Sequence, residues 1–418
     1  MKTITLLLDG VGDRSYDLLG GKTPLEYAKT PNLDKIAQTS QCGLMTPLQV
    51  GASLGTDLAH FILFGYKTHE YPNRAVIDAI GENVSLNKDD LILRASFADV
   101  SHDGQGYLLN SRFTKDLSAK EINDLIQAVD CQFDGWQFKC IHSYDSHGFV
   151  IVSRTDGKEI SSEVSDSDPF YAPQYVMKIE PFETVDPISE ETANAINRFL
   201  KRTHDILQGH EVNKNRAFKG EQAANFILTK WAGRYTGVEP FQIRTGMRGQ
   251  LLGQSKLLNG LSHYVGLDFQ SYETFDEAVH LALSSEYEYV HLHTKAPDEA
   301  SHKKSPMKKV EALEEIDKSI ETLLDFEGLL IVTADHSTPC AGEMIHSGES
   351  VPFMARGEYV RQDRVDAFNE VACANGSVML TGADFIHYIH SASDRGNLYH
   401  LRVGNKWRNY RPTKVNKL

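Results

Sequence analysis

Apolar residues in this chain gather in short unbroken runs, and three of those runs lead into aspartate. Thr3-Ile4-Thr5-Leu6-Leu7-Leu8 precedes Asp9, Leu329-Leu330-Ile331-Val332-Thr333-Ala334 precedes Asp335 and His336, and Tyr289-Val290-His291-Leu292-His293 leads toward Asp298 and His302. Runs of this length without polar alternation predict strands buried on both faces, as in a parallel sheet. Between the last two, Val310, Leu313, Ile316, Ile320 and Leu323 recur at helical spacing and predict an amphipathic crossover helix. Thr30-Pro31-Asn32-Leu33-Asp34-Lys35-Ile36-Ala37 predicts another helix, with proline in its first turn.

The middle of the chain has a different texture. From 66 to 216, the stretches 91–98, 137–141 and 149–152 read as strands separated by Gly and Asp turns, and 191–207 reads as a helix. Strand and helix alternation is expected to resume at 225–229. The resulting expectation is an α/β protein with a doubly wound core over 1–66 and 216–402, a smaller inserted α+β cap over 67–215, and a basic C-terminal tail over 403–418. Arg402, Lys406, Arg408, Arg411, Lys414 and Lys417 mark the irregular end, which is expected to fray or to cover a partner subunit. A length of 418 residues fits two domains better than one core.

Composition narrows the setting. Hydrophobic residues make up 41% and charged residues 24%, which excludes disordered and fibrous classes. The apolar N-terminal run is too short for a signal peptide, and no span of membrane-crossing length occurs, so a cytoplasmic protein is expected. Cys42, Cys131, Cys140, Cys340 and Cys373 form no CxxC pair and are odd in number, which argues against a disulfide framework. A net charge of −14 disfavours nucleic acid and anionic membrane as partners. It leaves room for a small anionic substrate, because bound cations reverse the local field.

The chemistry is concentrated where the apolar runs stop. Asp298 and His302 are four residues apart, so one helical turn puts both on one face for a single ion. Asp335 and His336 stand at the C-terminal end of a strand, the edge where open α/β sheets bind ligands, and His346 follows at loop distance. With Asp9 they supply enough hard oxygen and imidazole nitrogen for two divalent metal ions. Taken singly, Asp335 also reads as a helix cap, His336 as a core imidazole, and Asp298 and His302 as loop residues. Their recurrence behind three strands favours the metal site. Two readings stay open at Thr56, which follows the small-residue loop Gly51-Ala52-Ser53-Leu54-Gly55. It is either a helix cap or a nucleophile activated by a metal and by the positive end of a helix.

Leu8-Asp9-Gly10-Val11-Gly12-Asp13-Arg14, Gly20-Gly21-Lys22-Thr23-Pro24-Leu25, Thr30-Pro31-Asn32-Leu33-Asp34, Gly55-Thr56-Asp57-Leu58-Ala59-His60, the stretch 295–302 and Ala334-Asp335-His336-Ser337-Thr338-Pro339 resemble, in this order, the archaeal-type cofactor-independent phosphoglycerate mutases of the alkaline phosphatase superfamily. The resemblance implies an alkaline-phosphatase-like core and two divalent ions (Mn, Zn, Mg or Co). One would be held by Asp298, His302 and His346, the other by Asp9, Asp335 and His336, completed by the nucleophile's oxygen. It also implies phosphoryl transfer within a small phosphorylated acid through a nucleophile that is serine in the family and Thr56 here.

The substrate grip departs from the family pattern. An Asp-Arg-Arg-Ala-Gly-Arg stretch is represented by Asn110-Ser111-Arg112-Phe113-Thr114-Lys115, a Leu-Arg-Gly-Ala-Gly strand end by Thr229-Lys230-Trp231-Ala232-Gly233, and a Gly-Arg-Gly-Pro-Phe-Glu segment by Pro72-Asn73-Arg74-Ala75-Val76-Ile77. Asp168-Pro169-Phe170 stands where a Pro-His pair is usual. Arg74, Arg112, Lys230, Arg244 and Arg248 remain as candidates to grip an anion, each with a solvated surface role as the alternative. These departures, with Thr56, leave a hydrolase or phosphotransferase acting on another phosphate or phosphonate ester as a second reading. A non-catalytic metal-binding relative is a third.

Overall fold

The computed structural model describes residues 1–183, 185–399, 401–403 and 406–412. Its chain divides into two compact units, 1–71 with 238–418, and 72–237.

The first unit is built on an eight-stranded sheet. Its order is Asp268–Gln270, Gly249–Leu252, Tyr289–Thr294, Thr3–Leu8, Leu329–Thr333, Val351–Arg356, Gln41–Thr46 and Val378–Thr381. The first five are parallel, Val351–Arg356 runs against both neighbours, and the last two resume the original direction. Thr3–Leu8, Tyr289–Thr294 and Leu329–Thr333 are buried at every residue, the condition that unbroken apolar runs satisfy. Parallel strands need crossovers, and right-handed crossovers running in opposite directions along a sheet fall on opposite faces. Helix Lys256–Val265 leads from Gly249–Leu252 outward to Asp268–Gln270, whereas Phe275–Ser284 leads back inward to Tyr289–Thr294, so the sheet is covered on both sides. Phe275–Ser284 touches Pro306–Ser319 and Lys256–Val265 touches Thr56–Leu63, as two separate helical layers require.

The predicted crossover helix spans Pro306–Ser319, with Val310, Leu313 and Ile316 buried. Ile320 and Leu323 fall beyond it, in a cap and in the 3-10 turn Glu321–Asp325. They stay buried because a 3-10 turn continues the same side of the chain for one further step. The helix predicted after Thr30 is Pro31–Ala37, with Pro31 at its start, where its missing N–H costs nothing. Lys406 and Arg408 pair with Glu239, and Arg411 pairs with Asp394, so this part of the basic tail lies on its own unit. Lys414 and Lys417 lie outside the described residues.

The second unit is an antiparallel seven-stranded sheet with helices. Its longest strand, Leu91–His102, pairs with His147–Arg154 on one side and with Phe226–Arg234 on the other. Alternation along it separates two cores. Leu91, Leu93, Ala95 and Phe97 pack in the cluster shared with Ala119–Val129 and Pro187–Gln208, whereas Ile92 packs with Ala75, Val76 and Ala79 of helix Arg74–Gly81. Here the structure corrects the sequence reading. The strand expected to restart the core at 225–229 is Phe226–Arg234, and it belongs to this second sheet. The unit accordingly runs to 237, not 215, and begins at 72, not 67. A short apolar run looks the same in either sheet, because the partner that completes its hydrogen bonds lies far away in sequence.

Candidate metal centre

Parallel register delivers the candidate ligands. Leu8 pairs with Thr294, and Leu7 with Thr333, so three strand ends are level and the loops after them converge at one sheet edge. Asp9 follows Leu8 directly. Asp298 and His302 lie one turn apart on helix Ala296–His302, not on a loop, and His302 Nε2 is 3.2 Å from Asp298 Oδ1. Gly10, at φ +65°, passes so close to the third loop that a Cβ would sit 2.4 Å from Thr338 Oγ1. Glycine is required there for both reasons.

Among the described residues, two groups of side chains place ligand atoms within 4.8 Å of one another, Asp298 with His302 and His346, and Asp9 with Asp335 and His336. The two groups adjoin, since the His336 and His346 rings stack with centroids 3.7 Å apart. Thr338 bridges them. Its hydroxyl donates to Asp298 Oδ1 at 2.8 Å and so accepts from His336 Nδ1 at 3.2 Å. That bond puts the His336 proton on Nδ1 and leaves a lone pair on Nε2. His346 is set the same way, its Nδ1–H donating to the Leu54 carbonyl at 2.6 Å.

Each buried carboxylate of the second group is divided in use. Asp335 Oδ1 accepts from the Gly10 and His336 amides at 3.2 and 3.1 Å, and Asp9 Oδ2 accepts from His293 Nε2 at 3.0 Å. Asp335 Oδ2 and Asp9 Oδ1, both fully buried, have no hydrogen-bond partner among the described residues. They lie 3.2 and 3.3 Å from His336 Nε2. Three acceptor atoms thus converge, with the Thr56 hydroxyl the one neighbouring side chain among the described residues that donates to any of them, an arrangement that a cation would satisfy.

The electrostatics agree. Burial, and then the charge of Asp9, hold Asp335 well above the usual carboxylate range. Asp9 is also pushed upward by burial, but the His293 hydrogen bond and the neighbouring histidines bring it below that range. Burial is the largest effect at Asp298 too, and the bonds to His302 and His346 overcome it and hold the acid ionised. Burial drives His336 down to about 4 and His60 to about 3, keeping both rings neutral as ligands and braces must be.

Thr56 is the first residue of helix Thr56–Leu63. The cap is Gly55, which leaves the Thr56 hydroxyl uncommitted to capping. That hydroxyl is buried and lies 3.3 Å from His336 Nε2, to which it donates.

The five basic candidates separate. Arg112 makes a two-pronged pair with Asp168 at 2.9 and 2.7 Å, and Lys230 reaches the same carboxylate at 3.0 Å. Arg74 and Lys230 stack on Trp231, each 4.6 Å from the ring centre. These three therefore form one cluster in the second unit. Arg244 grips Glu70 and lies over Tyr66, 4.2 Å from the ring centre. Arg248 precedes strand Gly249–Leu252, at the sheet edge opposite the strand ends that carry the metal ligands, and bonds the Glu286 carbonyl. Arg244 and Arg248 thus lie apart from that cluster, engaged by acceptors and aromatic faces in the first unit.

Sequence reading passed over His60, His293, Thr338 and Lys309. His60 Nδ1 lies 2.7 Å from the Thr56 carbonyl and 3.6 Å from Asp335 Oδ2. Lys309 is fully buried and donates to the Gly10, Gly12 and Thr338 carbonyls and to Asp13, tying two ligand loops together. A signal existed for His293, since His291 and His293 alternate on a strand and share one face, but a buried imidazole alone does not say what it touches.

The family described as the metalloenzyme superfamily matches residues 1–392. The chain is 44% identical over 419 residues to the 2,3-bisphosphoglycerate-independent phosphoglycerate mutase 2 of Methanocaldococcus jannaschii, covering 99% of this chain and 98% of that one. It is 33% identical to the corresponding mutase of Picrophilus torridus, over 96% of this chain and 100% of that one. Two solved structures are similar over nearly their whole length. A protein of Pyrococcus horikoshii gives a TM-score of 0.74 at 27% identity, covering 96% of this chain and 99% of that one. The cofactor-independent phosphoglycerate mutase of Thermoplasma acidophilum gives 0.64 at 26%, covering 94% and 100%.

Proposed function

From the premise that the chain belongs to the metalloenzyme superfamily and, within it, to the family of 2,3-bisphosphoglycerate-independent phosphoglycerate mutases, we propose that it moves a phosphoryl group between two hydroxyls of a small phosphorylated acid, with Thr56 as the relay. The observation that carries this reading is the hydroxyl of Thr56, free of any capping role and 3.3 Å from a histidine nitrogen that converges with two carboxylate oxygens lacking a hydrogen-bond partner among the described residues.

Two divalent ions, one held by Asp298, His302 and His346 and one by Asp9, Asp335 and His336, would supply Lewis acidity that lowers the hydroxyl pKa and offsets phosphoryl charge. Thr56 Oγ1, at the positive end of its helix, attacks the phosphorus as its proton departs. The bond to the substrate's oxygen breaks, the proton given up by Thr56 ends on that oxygen, and a phosphothreonine forms. The substrate's other hydroxyl then attacks the same phosphorus, the bond to Thr56 breaks, and the proton that hydroxyl gives up returns to Thr56 Oγ1. The extra methyl of threonine restricts the side chain to fewer rotamers without removing the oxygen. Arg74, Arg112 and Lys230 supply the anion grip in this reading, arginine being suited to two-pronged pairing with carboxylate or phosphate. The five cysteines are free, which supports a reducing, cytoplasmic setting. No described helix is long and apolar enough to cross a membrane.

One observation favours a second reading. Asp168 already engages Arg112 and Lys230, so the grip offers less positive charge than its residue types suggest. This suits a hydrolase or phosphotransferase acting on another phosphate or phosphonate ester. Phosphorus NMR of the manganese-loaded protein with 3-phosphoglycerate separates the two. Appearance of 2-phosphoglycerate is the expected result, and release of inorganic phosphate alone would transfer the assignment to the hydrolase.

A further inference from the structure

We propose that His293 is a positioning residue for the ion site of Asp9, Asp335 and His336, fixing which oxygen of Asp9 faces the metal. This rests on the metal-site reading above. His293 lies on strand Tyr289–Thr294, paired in register with Leu7, two residues before Asp9. Its ring is buried, and its backbone carbonyl accepts a hydrogen bond from Tyr272 at 2.6 Å, which anchors the strand end that carries it. Nε2 lies 3.0 Å from Asp9 Oδ2. Because an ionised carboxylate can only accept, the ring must carry its proton on Nε2.

A carboxylate with both oxygens equally available can bind an ion through either oxygen or through both. His293 occupies Oδ2 and leaves Oδ1 turned toward His336 Nε2, 3.3 Å away, as the ligand atom. Donation from a neighbouring side chain to a metal-ligating group is a recurrent way of setting ligand orientation and ion affinity. Asp335 obtains the same division from two backbone amides, which substitution cannot easily remove. His293 is the side-chain half of the arrangement and therefore the half open to test.

The experiment titrates Mn(II) into chelator-treated protein and follows free manganese by electron paramagnetic resonance, for the wild type, His293→Phe and His293→Gln. Phenylalanine fills the same volume without a donor, and glutamine keeps an N–H at similar reach. Circular dichroism of the metal-free proteins monitors folding, and His293→Ala replaces the phenylalanine variant if that one does not fold. The expected result is a 10- to 100-fold loss of affinity at one of two sites in the phenylalanine variant, largely recovered in the glutamine variant. Wild-type affinity in the phenylalanine variant overturns the proposal. So does equal loss in both folded variants, which would make the ring's packing the cause. A wild type that takes up no manganese removes the metal-site reading itself, a result separate from either of these.

Discussion

At the scale of single residues, the site is a set of acceptor atoms turned toward one another by the hydrogen bonds behind them. Thr338 and the Leu54 carbonyl hold the protons of His336 and His346 away from the centre, and two backbone amides hold one oxygen of Asp335. Asp335→Asn replaces a convergent oxygen, or the one that the amides need, by an N–H, and is expected to lose one ion per chain and nearly all turnover while the circular dichroism stays unchanged. Full activity with both ions retained would remove Asp335 from the ligand set. Thr56→Ala is expected to lower kcat by about 10³-fold or more and to abolish acid-stable labelling of the protein by phosphate, whereas Thr56→Ser restores both. A pH effect arises away from the metal centre. His390, buried with Nε2 2.8 Å from the Thr245 carbonyl, is driven by burial from 6.5 down to about 4. The unfolded chain takes up this proton near 6.5 and the folded one resists until about 4. Stability is therefore full above 6.5 and is lost as pH falls through that window, on the order of 3 kcal/mol from this group. Denaturant melts of wild type and His390→Gln at pH 7 and pH 4 measure the difference, which should shrink in the variant.

At the scale of elements, convergence of the ligands depends on strands ending level and on the loop after Thr3–Leu8 turning tightly. Gly10→Ala imposes a left-handed conformation on a residue with a Cβ, at 2.4 Å from Thr338 Oγ1. It is expected to reduce metal uptake at both sites, because Thr338 contacts Asp298 and His336 alike. Wild-type uptake would show that the loop relaxes freely. Leu313, fully buried on helix Pro306–Ser319, acts at a distance from the chemistry. Leu313→Ala should cost about 2 to 5 kcal/mol in urea unfolding while kcat of the folded fraction stays near wild type. Much of this level was legible beforehand. Fully apolar runs identified the central strands, and proline marked the start of Pro31–Ala37. The Phe226–Arg234 strand was assigned to the wrong unit, because its local pattern fits either sheet and only its pairing with Leu91–His102 decides.

At the scale of the whole molecule, every ligand of both proposed ions belongs to the first unit, while Arg74, Arg112 and Lys230 belong to the second. Removing the metal should therefore abolish turnover and lower the thermal stability of the first unit, by about 2.7 kcal/mol for each ion lost relative to protein holding manganese at 100 times its Kd. Calorimetry with and without chelator measures this, and an unchanged melting profile would mean that the ligand groups do not hold ions in the folded state.

The sequence by itself determined the family, the α/β class, the three apolar strands whose ends precede Asp9, Asp298 and Asp335, and the six Asp and His residues that are candidate ligands. These rest on residue type, local period and motif order, which need no knowledge of distant partners. Tertiary structure alone decided that Thr56 follows the cap instead of being it, that Arg244 and Arg248 are engaged elsewhere while Asp168 claims Arg112 and Lys230, and that His293 stands behind Asp9. Each of these is a question of which atom lies within about 3 Å of which other, and hydrogen-bond geometry between residues far apart in sequence is set only once the strands have paired.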